Sequence, residues 1–351
     1  MKKSRLSMFC LPAVASLVCS SLVPAAVAAD SAAQDTPYNS STVNISDPQA
    51  TAETQALFVA LRDTSSKDIR FGHQQTTELS ITGAKNGDVY DMTGKYPAVF
   101  GFDAGEIVRA SNSEADPSAA IEKMVNYIKF ADAQGGIITL SVHWNNPVTG
   151  KDFSDTTEAV SHILPGGSHS AVFNRMLDAV ARVAQDVKRS DGTPIPIIFR
   201  PLHENLGTWF WWGATHASTA EFKELFRYIV NYLRDIKGIH NLLYAYSPSG
   251  TFNKDTTDYM ASYPGDDWVD VFGLDDYTDN IPDWIPRVVR DLGVLEKVAE
   301  KHGKITAFTE FGRRDIPKSG KDYGHYDFYS KLREALAKDT SHIAYMMTWA
   351  N

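Results

Sequence analysis

The 351-residue chain has almost no cysteine. Cys10 and Cys19 are the two it has, and both fall in the opening segment. With that segment removed, neither disulfides nor thiolate-bound metal could hold the rest together. Stability must then come from a packed core, which a chain of this length can build. Cationic runs are missing too. The net charge is −9, falling to −12 without Lys2, Lys3 and Arg5, which excludes an ordinary nucleic-acid binder. There is no glycine-rich dinucleotide loop and no Gly-x-Ser-x-Gly elbow. His203-Glu204 does not extend into the helical zinc motif, because Gly207 stands where the second His would be. Beyond the leader no apolar run is long enough to cross a membrane.

The opening residues have the three parts of a secretory signal: Lys2, Lys3 and Arg5, then the apolar Met8–Val18, then small residues with Ala26-Val27-Ala28 as a cleavage pattern. Pro12, Ser16 and Ser20 interrupt the apolar part, which argues against a membrane anchor. Val18 precedes Cys19 where a lipoprotein signal wants a small residue, so lipid anchoring is not expected. Residues 1–29 are therefore read as a signal peptide, 30–50 as a leader or linker and 51–351 as one catalytic domain, secreted or periplasmic.

Aromatics are plentiful, with 7 Trp, 15 Tyr and 17 Phe, which suits a neutral, hydroxyl-rich ligand. Short apolar runs at 69–73, 98–103, 137–143, 195–200, 241–247, 269–275, 305–310 and 344–349 read as strands. Helical patterns separate most of them, clearest at 118–134, 168–188, 219–237, 286–301 and 326–338, with Asp116-Pro117 and Ser218–Glu221 as helix starts. Eight strands alternating with helices predict an α/β fold, a single-domain (β/α)₈ TIM barrel. The sequence stops at Asn351, directly after the eighth strand, so a closing helix is not expected within it.

Barrel enzymes carry their chemistry at the C-terminal strand ends. Here those ends read His73, Asp103, His143-Trp144, His203-Glu204, Tyr246, Asp275-Asp276-Tyr277, Glu310 and Trp349. The stretch from Arg200 to Gly213 is the most informative. It sets Arg200, His203 and Glu204 before Trp209, Trp211 and Trp212. An apolar surround raises a carboxyl's pKa, as a general acid requires, and indole faces hold sugar rings. The three Trp together read as a functional wall rather than core. Glu204 and Glu310, from strands 4 and 7, can face one another across the mouth, the machinery of glycoside hydrolysis. A separation of about 5–5.5 Å would mean retention and one above about 6.5 Å inversion. For Glu310 the structural alternative is an ion pair with Arg200, Arg313 or Arg314. A zinc site on His73, His143 and His203, or a cation on Asp275-Asp276, has weaker support.

Arg200-Pro-Leu-His-Glu, Trp-Phe-Trp-Trp-Gly at 209–213 and Thr-Glu-Phe-Gly at 309–312 resemble the glycoside hydrolase family 26 β-mannanases, from Phe71-Gly-His-Gln74 to Thr348-Trp349. The resemblance implies a (β/α)₈ retaining glycosidase with Glu204 as general acid/base and Glu310 as nucleophile. It implies that Tyr277 and Arg200 hold the nucleophile, and that His143, His203, Trp209 and Trp349 bind sugar, with Asp103, Glu106 and Trp144 as further rim candidates. The substrate implied is mannan or manno-oligosaccharide, cleaved without metal or organic cofactor by a monomer that binds no nucleic acid. A β-1,3-xylanase or mixed-linkage β-glucanase, and a non-catalytic carbohydrate-binding protein, are the rival expectations.

Overall fold

The computed structural model describes residues 44–63, 69–80, 83, 85–250, 252, 256–278, 281–314, 327–338 and 342–349. The signal peptide read at 1–29 lies outside them. Eight parallel strands close into a barrel in chain order: β1 (Arg70–Gln74), β2 (Val99–Asp103), β3 (Ile137–Ser141), β4 (Ile197–Arg200), β5 (Leu242–Tyr246), β6 (Val271–Thr278), β7 (Ile305–Arg313) and β8 (Tyr345–Thr348). Pairing of β1 with β8, from Arg70↔Tyr345 to His73↔Thr348, completes the ring. The (β/α)₈ reading therefore holds.

Successive strand side chains point to opposite faces, and the barrel sorts them accordingly. Val99, Ile198, Leu243, Ala245, Val271, Ile305, Ala307, Tyr345 and Met347 form the interior, closed by Phe58 and Leu61 of α1 (Ala52–Arg62). The intervening residues, such as Phe100, Leu140, Phe199, Tyr244, Phe272 and Phe308, join the helices in a larger outer core. The helices that follow are α2 (Asp88–Thr93), α3 (Gly105–Asn112), α4 (Ser118–Ala133), α5 (Val160–Ile163), α6 (Ser170–Asp186), α7 (Thr219–Asn231), α8 (Thr257–Ala261), α9 (Ile281–His302) and α10 (Phe328–Lys338).

Local chemistry sets these ends. Ser218 and Glu221 form the capping box of α7. The pattern running to Lys237 is broken after Asn231 by a π-helical turn, Tyr232–Ile236. The helix read from Pro286 begins earlier, at Ile281, and carries that proline inside it. Buried Trp284 anchors its first turn by donating from Nε1 to Asp276.

Residues 44–50, which composition assigns to the linker, are part of the packed barrel. The Ser46 amide and hydroxyl both donate to buried Asp270, at 2.6 and 2.7 Å. Lys304 Nζ donates to the carbonyls of Asn44 and Asp266. His240 pairs with Asp47 at 2.8 Å. Residues 44–50 thus pack as part of the folded domain, because these polar groups satisfy buried partners that composition does not reveal.

Candidate active site

The site begins with a register shift. Between Gly273↔Ala307 and Asp275↔Glu310, β7 has one residue more than β6. It has one more than β8 as well, between Phe308↔Met346 and Phe311↔Thr348. Ala307 faces the interior and Phe308 the helices. Strict alternation would send Glu310 outward with Phe308. The extra residue at Thr309 restores Glu310 to the inner face and leaves Phe311 in the outer core.

Two donors hold Glu310, one on each oxygen. Tyr277 Oη donates to Oε1 at 2.6 Å, and Arg200 Nη2 donates to Oε2 at 2.5 Å. The other arm of Arg200 donates to Asp275 at 2.6 Å, and Asp275 accepts from the Thr309 hydroxyl at 2.7 Å. The alternative of an ion pair with Arg200 is thus realised, but at the barrel mouth rather than instead of it. Burial would drive a proton from Arg200, yet Asp275 and Glu310 hold its pKa above the ordinary value. Burial, then Glu310, pushes Tyr277 up, so it stays a donor. Burial also raises Asp275.

Glu204 sits beyond the end of β4 with φ of 55°, a left-handed conformation that costs a non-glycine residue about 1 kcal/mol or more. Neighbouring loops hold it there: its amide donates to Ser247 O at 2.8 Å, and the Ser249 hydroxyl donates to its carbonyl at 3.3 Å. Burial, and next the charge of Glu310, raises its pKa to about 7, while a 2.6 Å bond from Trp209 Nε1 pulls the other way. Trp209 is 43% exposed. Its ring lies so close over Gly207 that a Cβ there would be 2.4 Å from it.

His143 receives opposing influences. Burial lowers its pKa, but a 2.8 Å pairing with Asp103 more than offsets this, and the net shift is upward. His203, packed 4.6 Å from the His143 ring, is held well below its ordinary value by burial and then by Arg200. It is therefore a neutral imidazole. Trp349 lies 5.6 Å from His143, and the two line a cavity of about 450 Å³ with Gln75, Glu78, Asp103 and Phe153.

The structure brings together Arg200, His203, Glu204, Trp209, Tyr277 and Glu310, with His143 and Trp349 on the adjoining wall. It corrects other readings. Trp211 and Trp212 are fully buried, their Nε1 atoms donating to the carbonyls of Trp144 and His203. Trp144 is buried likewise, on Pro201 O. The aromatic wall is thus largely core, with Trp209 as its exposed member. Tyr246 and Asp276 are set on the outward face by alternation, Tyr246 among Phe222 and Phe226, Asp276 on Trp284 and Arg287. Glu106 lines the cavity rim beside Lys123. Among the described residues no three His, Cys, Asp or Glu side chains are arranged to hold a metal ion. Sequence reasoning missed Phe153 and Phe210, which pack against the His143 ring, and the Asp275 contact that holds Arg200. A polar residue two before Tyr277 on the same strand was the available signal for Asp275.

Residues 46–340 match glycosyl hydrolase family 26. A mannan endo-1,4-beta-mannosidase of Bifidobacterium adolescentis is 56% identical over 325 residues, 89% of this chain and 32% of that protein. This chain therefore spans about a third of that relative's length. A modular endo-beta-1,4-mannanase from Cellulomonas fimi superposes with a TM-score of 0.83 at 41% identity, over 88% of this chain and 71% of that one. The catalytic domain of a Bacillus sp. JAMB-750 endo-beta-1,4-mannanase gives 0.80 at 39% identity, over 88% and 83%.

Proposed function

Because the chain belongs to glycosyl hydrolase family 26, we propose that it hydrolyses β-1,4-mannosidic linkages within mannan or manno-oligosaccharides, with retention, by two displacements. The observation that carries this reading is the contrast between two neighbouring carboxyl groups. Glu204 is raised to about 7 by burial and by Glu310, whereas Glu310 receives one donor on each oxygen. Environments that differ in this way divide acid from nucleophile.

Glu204 enters protonated and gives its proton to the glycosidic oxygen as that bond breaks. Glu310 attacks the anomeric carbon and forms a glycosyl–enzyme ester. Glu204, now a carboxylate, takes a proton from water. The resulting nucleophile attacks the same carbon and frees Glu310. Tyr277 and Arg200 fix the attacking oxygens. Trp209 offers an exposed indole face beside the acid, and neutral His203 stays a hydrogen-bonding group without adding charge. The names of the relatives support mannan as substrate and internal cleavage, and the leader's composition supports export.

The test is product release from linear β-1,4-mannan, xylan and mixed-linkage glucan. Mannose oligomers from mannan are expected, with the β-anomer first in the NMR spectrum. Release from another polymer alone would replace the substrate, and a first-formed α-anomer would sink the double displacement. Glu310→Ala should lose at least about 10³-fold in turnover while still binding oligosaccharide.

A further inference from the structure

The segment after β3 is irregular and carries one side of the cavity, with His143, Asn145, Asp152 and Phe153, and one buried side chain organises it. Asn146 has no exposed surface. Its Nδ2 donates to Asp155 O at 3.0 Å and to Thr157 O at 2.7 Å. Its Oδ1 accepts from the amides of Val148 at 3.0 Å and Thr149 at 3.2 Å. All four hydrogen-bonding positions of the amide are filled, and the partners fix which end is which: carbonyls face the nitrogen, N–H groups the oxygen. The backbone of Asn146 is tied in as well, its amide to Lys151 O at 2.9 Å and its carbonyl to the Gly150 amide at 2.9 Å. Asn112 Nδ2 donates to that same carbonyl and links the segment to α3. An outer set of bonds closes the far side, where Asp155 accepts from the hydroxyls of Thr149 and Thr157, each at 2.7 Å.

The closed segment delivers Phe153. Its ring is 4.6 Å from His143 and 5.7 Å from Phe210, and 37% of the residue stays exposed on the cavity. A lone exposed Phe on a loose loop would spend ordering entropy on every binding event. Here the loop is ordered beforehand by groups that touch no ligand.

The geometry points to Asn146 as a positioning residue for substrate: its amide locks residues 145–157 into a preformed clasp that holds Phe153 over His143, making Phe153 a specificity-determining face for the sugar ring in the cavity. This rests on the glycosidase reading. The clasp acts on binding rather than on the two carboxyl groups, so its loss should appear in KM.

Asn146→Asp keeps the shape but sets a carboxylate oxygen against two carbonyls. It should raise KM for manno-oligosaccharides about tenfold, one lost aromatic contact, with kcat altered by less than about threefold. Phe153→Ala should do the same. The double variant should be no worse than either alone, because both remove one interaction. Independent, additive effects, or a collapse of kcat at unchanged KM, would overturn the proposal. Asp155→Ala, which opens the clasp at its exposed end, makes the same comparison if Asn146→Asp does not fold. Amide hydrogen exchange at Val148 and Thr149 reads the clasp without substrate and should speed up about a hundredfold in these variants. Unchanged exchange would overturn it. A wild type that releases nothing from any mannan would instead sink the glycosidase reading, and the exchange rates would still decide the clasp.

Discussion

Glu204 combines a backbone conformation that side chains avoid with surroundings that carboxylates avoid. Trp209 Nε1 donates a hydrogen bond to its carboxyl group, favouring the ionised form and so drawing the pKa down. Trp209→Phe keeps a ring and deletes that donor. Burial and Glu310 raise Glu204 to about 7, so it should then hold its proton to still higher pH, and the descending limb of kcat/KM against pH, which reports the free enzyme's acid, should move upward. A limb that moves down or stays put would mean that another group sets it. At this scale the sequence was informative about chemistry and poor about orientation. Arg200, Glu204, Tyr277 and Glu310 stood out by type and place. Trp211 and Trp212 did not reveal that they were core, because a buried indole that satisfies its N–H on a backbone carbonyl looks in sequence like one waiting for a sugar.

At the scale of the element, β7 decides whether Glu310 faces the barrel interior at all. Its extra residue turns Glu310 inward, and Gly312 then leaves room for Tyr277 to lie against the strand. A Cβ at Gly312 would stand 2.7 Å from the Tyr277 ring. Gly312→Ala should therefore displace Tyr277 from Glu310 and lower kcat by about 10- to 100-fold, the cost of about 1.4–2.7 kcal/mol, with the circular dichroism spectrum unchanged. Full activity would show that Tyr277 has no part in holding Glu310. The strand itself was readable from its apolar run. The bulge was not, since an extra residue exists only relative to the two strands beside it. The segment after β3 was unreadable for a similar reason: Asn146 orders it through partners up to eleven residues away, with no periodicity to betray them.

For the whole molecule, the opposite end of the barrel carries an ionic closure. Asp270 and Lys304 are both buried, about 4.0 Å apart, and Asp270 also accepts from Ser46 and the Tyr244 amide. Burial raises the pKa of Asp270 and lowers that of Lys304, so each tolerates its setting through its partners. Asp270→Ala should cost about 3–5 kcal/mol in denaturant unfolding, because it strands a buried ammonium. A loss below about 1 kcal/mol would mean that water reaches Lys304.

The sequence by itself determined the order of strands and helices and the (β/α)₈ fold, and it placed at the strand ends the residue types suited to acid, base and sugar-binding chemistry. These follow from local periodicity and from the rule that barrel chemistry gathers at strand ends. Only the tertiary structure decided which indole is exposed, that residues 44–50 pack with the barrel, which way Glu310 points and what raises the pKa of Glu204. Each of those depends on what stands opposite a residue across the barrel, and burial, register and charge at such distances are properties of the assembled ring rather than of any stretch of chain.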